Sequence, residues 1–364
     1  MTQTVNSTGL ALAQPNILIG GNFTTNPWQR GTTFSPGVNG IYYADRFNYA
    51  QITSTGVVDI LKTADSPTTA EAGVYSTSCL NVDVTTADTS IAVGEYSLIR
   101  YVVEGYDISE AGFGQASAKQ VTLSFWHKHT VTGTYCVAFT NSIPDRSYIA
   151  EYTQAVTNTW QKSTITLTGD VTGSWLYDTG AGLNIYFANM CGSTFHTTAN
   201  AWQAGAFFAT SNQVNGLSSS SNFFKLALIK LEMGSVATPY PVELEADVLA
   251  RCQRYYCKTF AQGIAPAEGA AGYGDTNKIS VFVVSTATPF NDFQFPVTMR
   301  SAPTVATYNP RAGGSATRYT NGSSDDTGAP NIAHIGQSRA MILTNNTVIA
   351  ATPWYIHATA TAEL

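Results

Sequence analysis

Short runs of alternating apolar and polar residues are the main pattern in the N-terminal part of the chain. They lie between Gly, Asn, Pro and Asp residues, at 17–23, 42–52, 57–63, 95–106, 119–130, 134–141, 163–169, 182–190 and 223–232. Alternation with a period of two is typical of strands, and no helical segment separates the runs as βαβ units require. The pattern predicts a β-sandwich over residues 16–240, a hairpin connection at 131–134, and a polar arm at 1–15.

Helical periodicity interrupts the strands between residues 241 and 260. Pro241 suits the first turn of a helix, and acidic residues precede basic ones, in agreement with the helix dipole. The predicted helix has one apolar stripe, formed by Leu244, Val248, Leu249, Cys252, Tyr255 and Tyr256. A short helix needs such a stripe covered. We therefore predict a linking helix whose stripe forms an oligomer interface with other copies of the chain.

Further strand patterns after the helix predict a second, smaller β domain at residues 261–364. They lie at 279–285, 290–297, 302–308, 340–344, 347–350 and 354–358. Between them, Asn309 to Pro330 is rich in Gly, Ser, Thr and Asn, and loops of this length are usually functional or disordered. The whole chain is predicted to be all-β.

Composition agrees with this fold class. The 364 residues are 44% hydrophobic, enough for two cores, and only 12% are charged, as in many extracellular β proteins. The net charge of −6 provides no basic patch, so we expect no nucleic-acid partner. The first residues have neither a cationic start nor a long apolar run, so neither a secretion signal nor membrane insertion is expected.

The cysteines are odd in number and scattered, at Cys79, Cys136, Cys191, Cys252 and Cys257. The sequence contains no C-x-x-C pair for zinc or redox chemistry. We expect a chain that folds in a reducing cytosol without disulfides.

Five segments resemble bacteriophage and prophage tail-fibre or virion structural proteins. They are NILIGGNFTTNPWQRGTTF (16–34), YYADRFNY (42–49), LEMGSVATPYPVE (231–243), LARCQRYYCKTF (249–260) and FPVTMRSAPTV (295–305). The span 16–240 also resembles a jelly-roll carbohydrate-binding module. The resemblance implies a jelly roll, a place in the virion as a fibre or spike, other phage virion proteins as partners, and a homotrimer.

Two patterns that are found in catalytic or metal sites occur without the residues that would complete them. His127 and His129 share one strand face, as a metal pair would, but no third ligand follows, so we expect them to close one end of a core layer. Asp178-Thr179-Gly180 and Asp326-Thr327-Gly328 match the loop motif of aspartic proteases, but Asp and Gly also favour tight turns. We expect no catalytic residues, no metal and no cofactor.

Aromatic residues on polar faces are the more informative signal. On the strand around residue 125, Trp126 and Lys128 fall opposite Leu123 and Phe125. Indole rings stack on sugars while polar neighbours bond the sugar hydroxyls, so this face is a candidate glycan platform. The alternative is a subunit interface or contact with a second layer. A second candidate set lies in turn-rich stretches: Trp175, Tyr177, Asp178 and Trp202.

Together these observations predict a virion fibre or spike protein, made in the host cytoplasm, that attaches to glycans on the host cell surface. Two other interpretations stay open, a structural or decoration protein of capsid or tail and a glycan depolymerase. The depolymerase would need two acids facing each other in a cleft.

Overall fold

The computed structural model describes residues 13–270, 272, 274–282, 290–326, 328–344 and 352–364. The chain divides into two compact units. Among the described residues, the first contains 13–26, 32–244 and 364, and the second contains 27–31 and 245–363. The predicted arm falls mostly outside the described residues, and the predicted strand segments 283–285 and 347–350 lie wholly outside them.

Two six-stranded antiparallel sheets form the first unit. In spatial order, the first sheet contains β1 (Thr33–Phe34), β3 (Val57–Thr63), β4 (Cys79–Thr86), β12 (Phe223–Met233), β6 (Val121–His129) and β9 (Gln161–Leu167). The second sheet contains β11 (Trp202–Ala204), β8 (Arg146–Gln154), β7 (Gly133–Thr140), β10 (Ala181–Cys191), β5 (Tyr96–Glu104) and β2 (Phe47–Ile52). Short helices connect them: α1 (Thr69–Ala72), α2 (Gly105–Ile108), and two 3₁₀ turns at Ser109–Ala111 and Ser193–Phe195.

Aromatic contacts join the inner faces of the two sheets. The ring of Phe125 on β6 lies 5.1 Å from Phe187 on β10 and 5.1 Å from Tyr152 on β8. All three side chains are buried, and aromatic pairs at this distance add to the free energy gained by burial alone. The first unit is therefore a β-sandwich, as predicted from alternation.

Two local predictions in this unit were wrong. Residues 131–134 form no hairpin, because β6 pairs with β12 and β9 whereas β7 pairs with β8 and β10, so the chain crosses between sheets there. Residues 17–23 form no regular strand. They run beside β12, where Ile17 N–H donates to Leu231 O and Ile229 N–H donates to Gly21 O.

His127 and His129 belong to the inner face of β6, as expected, and both are fully buried. The Nδ1 and Nε2 atoms of His127 lie 2.9 Å from Gln154 Oε1 and Ser163 Oγ, respectively. The ring of His129 is stacked between Tyr135 and Phe224, and its Nε2 lies 3.1 Å from the hydroxyl of Tyr152. Burial lowers the pKa of His127 to about 4 and that of His129 well below its usual range.

A buried ion pair fixes the chain just after β12. Lys230 Nζ lies 3.1 Å from Glu232 Oε2, and both side chains are almost fully buried. Thr238 completes the network, since its N–H and hydroxyl donate to Glu232 while its Oγ1 accepts from Lys230. The segment that follows β12 is thereby held against the outer face of the first sheet.

The linking helix is shorter than predicted. α3 spans Glu245–Gln253, and residues 256–258 form β13 (Tyr256–Lys258), paired with the strand near the C-terminus. Backbone pairing of Tyr256 with Thr361 takes precedence over the helical pattern of side chains. The helix also belongs to the second unit, which in addition includes residues 27–31.

Two smaller sheets share one core in the second unit. The first contains β13, β19 (Pro353–Thr361) and β14 (Ile279–Phe282), with β16 (Thr304–Tyr308) also paired to β19. The second contains β15 (Phe290–Gln294), β18 (Arg339–Leu343) and β17 (Asn331–Ala333). Their core includes Phe293, Ile342, Trp354 and Ile356, so this unit is a β domain smaller than the first, and it begins before the predicted residue 261.

The described part of the Asn309–Pro330 loop is ordered by hydrogen bonds. Asp325 accepts from the side chains of Arg311 and Asn309 and from the N–H of Ser315. Partial burial acts to raise the pKa of Asp325, but these bonds outweigh it and hold that pKa far below its usual range. This polar network orders the segment together with Tyr319, which is fully buried in the apolar core of the second unit.

All five cysteines are buried, and none of them forms a disulfide. Burial raises the pKa of the Cys79 and Cys257 thiols to about 12 and that of Cys136 to about 11. Across the described residues, no helix has the length and apolar character needed to span a membrane.

The buried histidines predict acid sensitivity. Their folded-state pKa values lie below the usual 6.5, so stability is fully present above pH 6.5 and falls as the unfolded chain takes up protons that the fold excludes. As the pH falls from 6.5 towards the folded-state pKa of each histidine, each should lower the free energy of unfolding by about 1.4 kcal/mol per pH unit. Urea unfolding between pH 7 and 4.5 measures it. His129→Phe keeps the ring stack and should reduce the slope; an unchanged slope would contradict the assignment.

Candidate functional site

Trp126 and Lys128 lie on the outer face of the first sheet. Their neighbours Phe125 and His127 point into the core, so the period of two on β6 sends these two side chains outward. Both are half-buried. The face predicted from the sequence is therefore the face on which they stand.

One carboxylate organises this face. Asp65 Oδ2 accepts from Lys128 Nζ at 2.9 Å and from Lys225 Nζ at 2.7 Å, and its Oδ1 accepts from the indole N–H of Trp160 at 2.9 Å. We call these four residues the Asp65 cluster. The sheet register assembles it, since Lys225 on β12 stands opposite Lys128 on β6.

Electrostatics keep Asp65 ionised. Partial burial acts to raise its pKa, but hydrogen bonds from Lys225, Trp160 and Lys128 outweigh burial and hold the pKa at about 2. The Lys128 ammonium lies 5.7 Å from the Trp160 ring centroid, within the range of a cation–π contact. The charged heads are thus held in place around the indole.

Trp126 and Trp160 pack on the same small apolar cluster. Both contact the buried group formed by Cys79, Ala227 and Leu228, and each remains half-buried. The cluster fixes the two rings, and the ion pairs fix the polar groups beside them. This combination of fixed aromatic surface and fixed polar groups can bind a molecule that has apolar faces and hydroxyl groups.

The polar face is smaller than the sequence indicated. Thr122 and Ser124, which share the face of Trp126, are buried. Lys230 and Glu232 stand opposite them on β12, and the network with Thr238 covers this end of the sheet. The end near Asp65 remains partly open, since Trp126 and Lys128 are half-buried there.

Two tryptophans of the second predicted set form an aromatic cluster with Phe113. Trp175 and Trp202 meet edge to face at 5.4 Å, and Phe113 contacts both rings. Each indole N–H donates to a backbone carbonyl, and Trp175 is buried. The hydroxyl of Tyr177 donates to Phe113 O. The structure brings Trp175 and Trp202 into direct ring contact, whereas Tyr177 joins them only through its hydrogen bond to the backbone of Phe113.

Asp178 has a local role. Its Oδ1 accepts from the N–H of Gly180 at 2.7 Å, which closes a turn of the kind Asp and Gly favour. Among the described residues, no group of three or more His, Cys, Asp or Glu side chains could hold a metal ion.

The predicted interface stripe is mostly covered by its own chain. Val248, Cys252, Tyr255 and Tyr256 are buried in the single chain. Leu249 is half-buried, and Leu244 is 65% exposed at the end of the first unit. The helix ends at Gln253, so Tyr255 and Tyr256 do not continue the helix face that carries Val248 and Cys252. Only the two leucines offer surface to another molecule.

Sequence reasoning missed three members of the Asp65 cluster. Trp160 precedes a predicted strand, and Lys225 falls on a predicted strand, so the position of each was visible. Asp65 lies in a loop after β3, and nothing local ties it to either. One signal could have identified Lys225. The alternation along β12 places this lysine between two buried residues, Phe224 and Leu226.

Comparisons with known proteins give a likeness of fold only. No protein-family model matches the sequence. No curated protein matches it either. Solved structures resemble the chain weakly. One of them is the enzymatically active domain of tailspike protein 4 of bacteriophage CBA120, with a TM-score of 0.32 at 10% identity. The match covers 60% of this chain and 21% of the tailspike chain.

Two carbohydrate-binding modules give similar values. TmCBM61, solved with β-1,4-galactotriose, has a TM-score of 0.31 at 8% identity, covering 61% of this chain and 100% of the module. The CBM22-1 xylan-binding domain from Paenibacillus barcinonensis Xyn10C has a TM-score of 0.29 at 9% identity, covering 62% and 99%. At these scores the likeness supports no inference about what this chain binds.

We predict that Asp65→Asn lowers stability more than a substitution in an exposed ion pair. Asp65→Asn should lower the free energy of unfolding by about 2 to 4 kcal/mol at pH 7, because two mostly buried ammonium groups lose their counter-ion. Glu110→Gln breaks an exposed pair with Lys119 and should change it by less than about 1 kcal/mol. Denaturant unfolding of both variants measures the difference, and equal effects would contradict the role of Asp65.

Proposed function

We propose that this chain is a carbohydrate-binding attachment protein of a bacteriophage virion, acting as a homotrimer. The observation that carries the binding function is the pair of half-buried indoles, Trp126 and Trp160, beside the charged heads fixed by Asp65. Indole faces stack on sugar C–H surfaces, and ammonium groups donate to sugar hydroxyls. Because both are held in place before binding, little entropy is lost when a sugar docks.

The virion and the trimer rest on other support. Five sequence segments resemble phage tail-fibre and virion proteins, and trimers are usual among such proteins. Weak binding at one site suits this context, since a trimer on a multivalent particle raises avidity without new contacts. In the same proposal the chain is not an enzyme, so it should release no oligosaccharide from host polysaccharide.

Glycan binding is tested by removing the indoles. Trp126→Ala combined with Trp160→Ala should weaken binding to cells or to a glycan array at least ten-fold, since each stacking ring contributes about 1 kcal/mol or more. Tyr106→Ala, which removes an aromatic ring that is 59% exposed elsewhere on the first unit, is the matched control and should bind normally. A folded double variant that binds as well as the wild type would refute the platform.

The trimer is tested at the exposed leucine. Light scattering coupled to size exclusion should give three chains for the wild type. Leu244→Asp should dissociate the assembly while leaving the chain folded, because the side chain is 65% exposed within one chain. Leu249→Asp should act in the same direction. Val171→Asp, at a comparably exposed apolar position, should remain trimeric. A monomeric wild type would overturn the proposal.

A further inference from the structure

Arg100 lies on the outer face of the second sheet, on the other side of the sandwich from the Asp65 cluster. It stands on β5, opposite Asn48 on β2 and Tyr186 on β10. Its side chain is half-buried, and its guanidinium carbon lies 5.7 Å from the centroid of the Tyr186 ring. The cation is therefore partly desolvated and lies beside an aromatic ring.

Neutral groups hold this guanidinium in place. Its Nη2 donates to Asn184 Oδ1 at 2.7 Å, and the amide of Asn184 in turn donates to Asn141 O and to Thr140 Oγ1. Asn184 and Thr140 are fully buried, so the group that orients Arg100 is rigid. Orientation is thus supplied without any neutralising charge.

No carboxylate among the described residues forms an ion pair with Arg100. Arg146 in the same unit shows the contrast, because its Nε and Nη2 donate to the two oxygens of Asp170 at 2.6 and 2.9 Å. A guanidinium that is half removed from water and lacks a counter-ion favours an anion supplied from outside.

Two further atoms beside it lack partners. Arg100 Nε and Asn48 Oδ1 are buried, neither makes a hydrogen bond within the described structure, and the two residues are neighbours in register. Arg100 Nε is a donor and Asn48 Oδ1 is an acceptor. A single hydroxyl group can bond both, because it accepts and donates at the same time. Asn48 itself is only 4% exposed.

We propose that Arg100 and Asn48 form a second binding site, for a sugar residue that bears a carboxylate, such as a uronic acid. The carboxylate pairs with the free edge of the Arg100 guanidinium, and a hydroxyl or a bridging water satisfies Nε and Asn48 Oδ1. The planar fork of arginine suits a carboxylate better than the point charge of a lysine does. The site rests on the proposed function only in that the chain binds sugars.

Binding of oligogalacturonate and of its methyl ester to the full chain tests this, because the ester keeps the sugar rings and removes the charge. By calorimetry at low salt, the free acid should bind at least ten-fold more tightly than the ester. Arg100→Gln should remove that preference. Arg100→Lys keeps the charge and is the variant to use if Arg100→Gln does not fold. It should retain part of the preference for the free acid. Lys119→Gln makes the same change of charge at an exposed surface pair and should alter affinity less than two-fold.

The outcomes separate this site from the indole platform. The variant with both Trp126→Ala and Trp160→Ala should keep the preference for the free acid. Equal affinity for acid and ester, or an Arg100→Gln protein that still prefers the acid, would overturn the Arg100 site and leave the platform untouched. Competition by acetate as effective as by galacturonic acid would show a general anion site and would also overturn the sugar assignment.

Discussion

The alternation of side chains along β6 is the constraint on which both layers of the first unit depend. Phe125, His127 and His129 are locked inward by rings and amides from the second sheet. A slip of one residue would exchange these buried groups with Trp126 and Lys128. The packing of the core therefore fixes the register of β6, and with it which side chains lie on the outer face.

Local pattern was enough for β6 but not for its surroundings. Period-two alternation identifies a strand and its faces, whereas it says nothing about which sheet the next strand joins. It therefore predicts a hairpin at residues 131–134, where the chain crosses from one sheet to the other. The helix was overextended for a related reason. Tyr255 and Tyr256 fit the helical stripe, but hydrogen bonds to a strand about a hundred residues later fix their conformation.

The candidate sites show the same limit. Trp126 and Lys128 could be predicted because strand geometry alone places them, but Asp65 joins them through side-chain contacts between distant parts of the chain. Arg100 could not have been singled out at all. What distinguishes it from Arg146 is that no carboxylate among the described residues forms an ion pair with it, and a sequence does not show which charges meet.

The buried cysteines have a practical consequence at the bench. A thiol reacts with maleimide as the thiolate, and burial both shields Cys79, Cys136 and Cys257 and raises their pKa. Labelling therefore requires the surrounding strands to open first. Cys79 and Cys136 lie in the two sheets of the first unit, and Cys257 lies in the second unit. The natural sequence thus carries chemical reporters that can record how each layer opens, without any introduced probe.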